Sequence, residues 1–180
     1  MKLLRTIRLD TSDTFVFDNA AEPGEWAVAG SFVFWGRDIE GLEGKQRVAF
    51  RSGLLGVKSL GWSTLAQIVE ADQAQRDALV DALAKQLVER FGAPDMATAR
   101  ASAEDEVTFT ESLAVERADT LIAVRRTFEN GDIREAFRTL TPRAGDKSFR
   151  AFAFFESDEE AEPGPEDRVD LLTLSGRGQK

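Results

Sequence analysis

The sequence predicts an α+β domain: a mostly antiparallel sheet with two adjacent helices, about residues 72–91 and 94–116, on one face. Three observations predict it. Strand-like stretches broken by turn residues dominate the first 70 residues. Apolar residues at helical spacing then run through two successive segments. Finally, Asn130-Gly131 joins two further strand-like runs as a two-residue hairpin turn. Residues 1–155 read as one domain and 156–180 as an acidic, partly disordered C-terminal segment.

The elements follow in order. Leu3, Arg5, Ile7 and Leu9 alternate with Leu4, Thr6, Arg8 and Asp10, the pattern of a half-buried strand. Asp10-Thr11-Ser12-Asp13 is turn chemistry, and Thr14–Phe17 reads as a short second strand. Pro23-Gly24 marks another turn. Glu25–Trp35 reads as a strand with Trp26, Val28, Phe32 and Phe34 on one side. Gly30 interrupts that side, as a bulge or a close approach would require. Residues 36–61 are punctuated by glycine, and Lys45–Arg51 fits a helical turn or a strand equally. Ser63–Glu70 reads as a strand.

Asp72 with Gln75 three residues on is a capping box, and Leu79, Val80, Leu83, Leu87, Val88 and Phe91 make one apolar stripe. Gly92 and Pro94 end that helix, and Pro94 suits the first turn of the next. The second helix is lined by alanines such as Ala99 and Ala103, which implies close packing on its neighbour. A two-residue hairpin loop sets the register of Thr120–Phe128 against Ile133–Leu140. Val124 then faces Phe137, and Arg126 faces Glu135 in a cross-strand ion pair amid apolar neighbours. Ser148–Phe155 reads as a last strand.

The chain contains no histidine, cysteine or tyrosine. That removes the usual proton shuttle near neutral pH, the thiolate nucleophile and the phenol acid. It also removes the ligands of most zinc, copper, haem and iron–sulfur sites, so no cofactor is expected. Net charge is −9, which argues against nucleic acid as a partner. Residues 156–170 hold eight acids against Arg168, a net of −7. Subtracting that −7 from −9 leaves −2 for the rest, too little for a general mimic of nucleic acid. There is no run of 18 apolar residues and no signal-peptide pattern at the start, so a cytoplasmic location and no membrane contact are expected.

Motifs that carry chemistry are weak. Gly41–Gln46 ends in Gly-Lys, but Ile39 stands where a phosphate-binding loop needs its first glycine and Gln46 replaces the metal-binding hydroxyl. It reads as a connector. Ser63 lacks the nucleophile-elbow pattern and reads as a strand start. Glu104, Asp105, Glu106 and Glu111 read as a solvated helix side, with acid–base or divalent-metal work as the alternative. The candidate binding residues are Trp35, Trp62, Arg125, Arg134, Arg138 and Arg150. Trp35 closes a strand before Gly36 and is the aromatic expected to be exposed. The arginines, with Arg143 and Lys147, would form a basic band on the sheet, over which the acidic 156–170 segment could fold back.

The segments Leu4–Asp10, Ala21–Trp26, Gly61–Ala71 and Arg134–Leu140 resemble a small family of uncharacterised bacterial proteins. The resemblance covers most of residues 1–143, leaves the acidic end outside and brings no catalytic motif. It implies a bacterial cytosolic protein. The residues themselves favour a non-enzymatic binding or accessory protein acting through a sheet face and aromatic edge, on a protein partner or by self-association. The alternative is a carboxylate/arginine-based lyase or hydrolase on a small anionic substrate. A pocket joining a carboxylate to two arginines would favour the enzyme, and an exposed apolar patch at Trp35 the binding module.

Overall fold

The computed structural model describes residues 1–9, 11–142 and 152–154, with the backbone alone for 141–142 and 152–154. Among the described residues, eight strands form one antiparallel sheet: β1 (Lys2–Ile7), β2 (Trp26–Val28), β3 (Leu54–Gly56), β4 (Trp62–Ser63), β5 (Leu65–Glu70), β6 (Leu121–Glu129), β7 (Asp132–Pro142) and β8 (Phe152–Phe154). Their spatial order is β4-β3-β2-β1-β5-β6-β7-β8. β4 and β5 are separated by Thr64 alone, yet β4 pairs with β3 at one end while β5 pairs with β1 in the middle. The sheet must therefore curl until its end strand meets its centre. The bend is held by Asp13, a buried carboxylate that accepts Thr64 Oγ1 at 2.5 Å and the Thr64 N–H at 3.3 Å.

Among the described residues, four helices accompany the sheet: α1 (Ser12–Val16), α2 (Gly44–Ser52), α3 (Gln73–Phe91) and α4 (Met96–Leu113). The α+β class with α3 and α4 paired on one face agrees with the sequence reading. Leu79, Val80 and Leu83 of α3 meet Ala99, Ala103 and Val107 of α4 over Leu3, Val28 and Leu55 of the sheet, all at 0–1% exposure. Alanine on α4 lets the two helices approach closely, as expected. Leu4, Ala27, Ile68, Ile122 and Val124 fill a second cluster on the opposite face. β1 is thus buried on both faces at Leu3 and Leu4, more than its alternation implied.

Three local readings change. Thr14–Phe17 is not a strand: Ser12–Val16 turns as a helix, which brings Asp13 inward to the β4–β5 bend. The long strand to Trp35 stops at Val28, because Gly30 sits in the left-handed region at φ 80 and Ser31–Phe34 winds into a 3-10 turn. A Cβ on Gly30 would lie 2.5 Å from the Leu55 Cβ, so the close approach read from the glycine is to a side chain of β3. The third change is the start of the second helix. Asp95 caps α4 by accepting the Thr98 N–H at 2.8 Å, so Pro94 precedes the cap and the helix runs 96–113 instead of about 94–116. The Asp95 carboxyl is held below its usual range by these hydrogen bonds, the Thr98 N–H first. The Asp72–Gln75 capping box is present in full.

Candidate functional site

The aromatic edge and the helical pair meet at a cleft of about 690 Å³. Three pieces of chain form it: the 3-10 turn with the residues just after it, the C-terminal half of α3 with Gly92 and Ala93, and the middle of α4. The turn supplies Phe32, Val33, Trp35 and Arg37. The end of α3 supplies Leu83, Leu87, Arg90 and Phe91. Phe32 and Phe91 meet edge to face, ring centroids 5.3 Å apart, and join the two elements across the cleft. Trp35 stands at its rim, 71% exposed as the sequence suggested.

The polar wall comes from α4, through Ser102, Asp105 and Glu106. Glu106 is the anchored member. Its Oε1 accepts the Gly30 N–H at 2.8 Å, so it holds the start of the 3-10 turn. One helical turn on, Thr110 Oγ1 accepts the Ala29 N–H at 3.4 Å. Burial pushes the Glu106 carboxyl above its usual range; the Gly30 N–H opposes this, the Glu135 carboxylate reinforces it and the Arg126 cation opposes it. Arg37 and Arg90 face the same cleft with exposed side chains, and neither has an ion-pair partner among the described residues.

Behind the cleft lies a buried cation. Arg126 has a fully buried side chain, and its Nε donates to Glu135 Oε1 at 2.6 Å, the pair expected from the hairpin register. Its Nη1 donates to the carbonyls of Phe50 at 3.2 Å and Gly53 at 2.6 Å, and its Nη2 to that of Ala29. Burial lowers its pKa, and Glu135 counters this, but a guanidinium keeps its charge. Sequence reasoning found the ion pair and not the three carbonyls.

The candidate residues divide between separate places. Of the candidates among the described residues, only Trp35 lines the cleft. Trp62 points inward and stacks on Phe34, centroids 5.2 Å apart at 23°. Arg125, Arg134 and Arg138 share one face of the hairpin by register, with Arg134 paired to Glu129 at 3.4 Å. Arg150, Arg143, Lys147 and the acidic 156–170 segment lie outside the described residues. The acids of α4 are not one solvated side: Glu104 and Glu111 hold Arg76 of α3 at 2.6 and 3.0 Å. Among the described residues, no group of three acidic side chains converges as a metal site would need.

Arg37 and Arg90 are absent from the residues that the sequence singles out, Glu106 enters there only as one of four acids on its helix, and Phe32 and Phe91 only as parts of apolar faces. The one signal in the sequence was Gly30, whose backbone freedom marked the place where the chain turns toward α3. Among the described residues no helix is long and apolar enough to cross a membrane. No curated protein and no solved structure matches the chain. A family model described as a family of unknown function (DUF6505) matches residues 1–160, beyond residue 143 and into the acidic segment. By that match over most of its length, the chain belongs to this family of unknown function.

Proposed function

We propose that this protein is a binding module working through the aromatic edge at Trp35, and that the cleft behind that edge receives the apolar part of its ligand. The observation that carries the reading is the cleft itself. About 690 Å³ is enough to bury a small ligand, and Phe32, Leu87 and Phe91 give it an apolar lining. Two arginines without ion-pair partners among the described residues supply polar contacts at the same place. A protein partner, favoured by the sequence, is supported separately by the 71% exposure of Trp35, since a lone exposed indole is a common interface anchor.

Titration with a chemically mixed set of small fragments, followed by amide NMR shifts, tests the reading. Shifts gathered at Phe32, Trp35, Phe91 and Gly92 are expected. Fragments that bind elsewhere, or nowhere, would refute it.

The enzyme reading has one specific observation in its favour: Glu106, anchored through one oxygen, shares the cleft with Arg37 and Arg90. A carboxyl held toward its neutral form can act as an acid on a bound anion. Turnover of a cleft-bound anion that is lost in Glu106→Gln, with binding retained, would establish it.

A further inference from the structure

Resting on the cleft as the binding site, we infer that its ligand is a small organic monoanion: an aromatic or branched apolar body carrying one carboxylate. The argument is charge complementarity joined to shape. Four ionisable side chains line the cleft: Arg37, Arg90, Asp105 and Glu106. None of the four makes an ion pair within the described residues, so the two guanidinium groups are not neutralised by the two acids beside them.

The acids differ in their engagement. Asp105 is exposed. Glu106 is partly buried, spends Oε1 on the Gly30 N–H, and is held toward its neutral form by burial. Neither acid is spent on the arginines, so both guanidinium groups are open to a ligand within the described residues. One ligand carboxylate gives them the acceptor that the cleft's own acids do not.

Guanidinium is the cation best matched to that group, because its planar N–H donors pair with two oxygens at once. The rest of the cleft sets the body of the ligand. Phe32 and Phe91 meet at 5.3 Å on one side, Leu83 and Leu87 lie on α3, and the Trp35 indole stands at the rim. A hydrated inorganic anion would leave these apolar surfaces wet. A hydrocarbon without charge would gain nothing from the two exposed arginines. An apolar carboxylate satisfies both walls.

The test uses two probes of the same shape, 4-phenylbutyrate and the neutral 4-phenyl-1-butanol, titrated by calorimetry and amide NMR. The variants are Arg37→Gln, Arg90→Gln and Trp35→Ala, all at exposed positions and so unlike core changes that endanger folding. The acid should bind the cleft at least about tenfold more tightly than the alcohol, the margin expected of charge-assisted hydrogen bonds. Each arginine variant should weaken the acid about three- to tenfold and leave the alcohol unchanged. Trp35→Ala should weaken both probes, since the indole meets the body they share. Added salt should weaken the acid alone.

If acid and alcohol bind the cleft equally, or if both arginine variants keep the affinity for the acid, the monoanion is refuted while the cleft remains a binding site. If neither probe nor any neutral fragment perturbs the cleft, both readings fall together.

Discussion

Glu106 and Arg126 hold the two ends of one peptide group. The Gly30 N–H donates to Glu106 Oε1 at 2.8 Å, and the Ala29 carbonyl of the same peptide accepts from Arg126 Nη2. A cleft acid on α4 and a buried cation on β6 therefore meet through the single amide where the strand ends and the 3-10 turn begins. That amide fixes where Phe32 and Trp35 emerge.

Arg126→Met is expected to destabilise the fold by about 3–5 kcal/mol, because Glu135 and three backbone carbonyls lose a charged donor away from water. Arg126→Met with Glu135→Leu should recover part of the loss, since the second change removes the stranded carboxylate. Urea unfolding of both variants measures the difference. A double variant weaker than the single one would contradict the assignment.

Glu106→Gln should flatten the dependence of stability on pH. The folded state raises the Glu106 carboxyl above its unfolded value near 4.5. The folded chain thus binds this proton more tightly than the unfolded chain does. Its contribution is fully present below the unfolded value and is lost as pH rises through the folded one. A glutamine amide in its place would keep an acceptor for the Gly30 N–H without that loss. The variant should therefore gain on the parent as pH rises through and above the carboxylate range. Stability curves that stay parallel throughout would show that Glu106 does not titrate differently on folding.

Gly30→Ala should cost about 1–3 kcal/mol, because φ is +80 and the new methyl would fall 2.5 Å from the Leu55 Cβ. The damage should be local first. Hydrogen exchange at the Gly30 and Val33 amides, which donate to Glu106 and to the Gly30 carbonyl, should accelerate before that of β1. Unchanged exchange would mean that the turn tolerates the side chain.

Arg76→Met should loosen α3 from α4 at a cost of about 1–2 kcal/mol. The guanidinium is 11% exposed and reaches Glu104, Glu111 and Thr108 together. Glu104→Gln alone should cost less than about 1 kcal/mol, since that carboxylate is 46% exposed and solvent screens it. A double-mutant cycle between Arg76 and Glu111 should show coupling. An additive cycle would reduce the cluster to a surface contact.

The elements read correctly from sequence are those whose cause is local. Asn130 and Gly131 adopt φ 54 and φ 86, so the hairpin register follows from two residues. The Asp72–Gln75 box closes within one turn of helix. The misread elements have distant causes. Ser12–Val16 turns as a helix whose Asp13 serves a bend 51 residues further along the chain. Phe32 and Phe34 alternate as in a strand, but their burial comes from Phe91 and Trp62.

The α+β class, the helical pair, the hairpin with its Arg126–Glu135 pair and the exposure of Trp35 are all legible in the order of residues. Periodicity, caps and turn residues act within a few positions and need no knowledge of the whole. Long-range packing brings Arg37, Arg90 and Glu106 to one cleft, and closes the partly exposed Glu104 and Glu111 on Arg76. Those groupings depend on which surfaces the curled sheet and the paired helices press together. Charged side chains far apart in the chain leave no periodic trace of where they will meet.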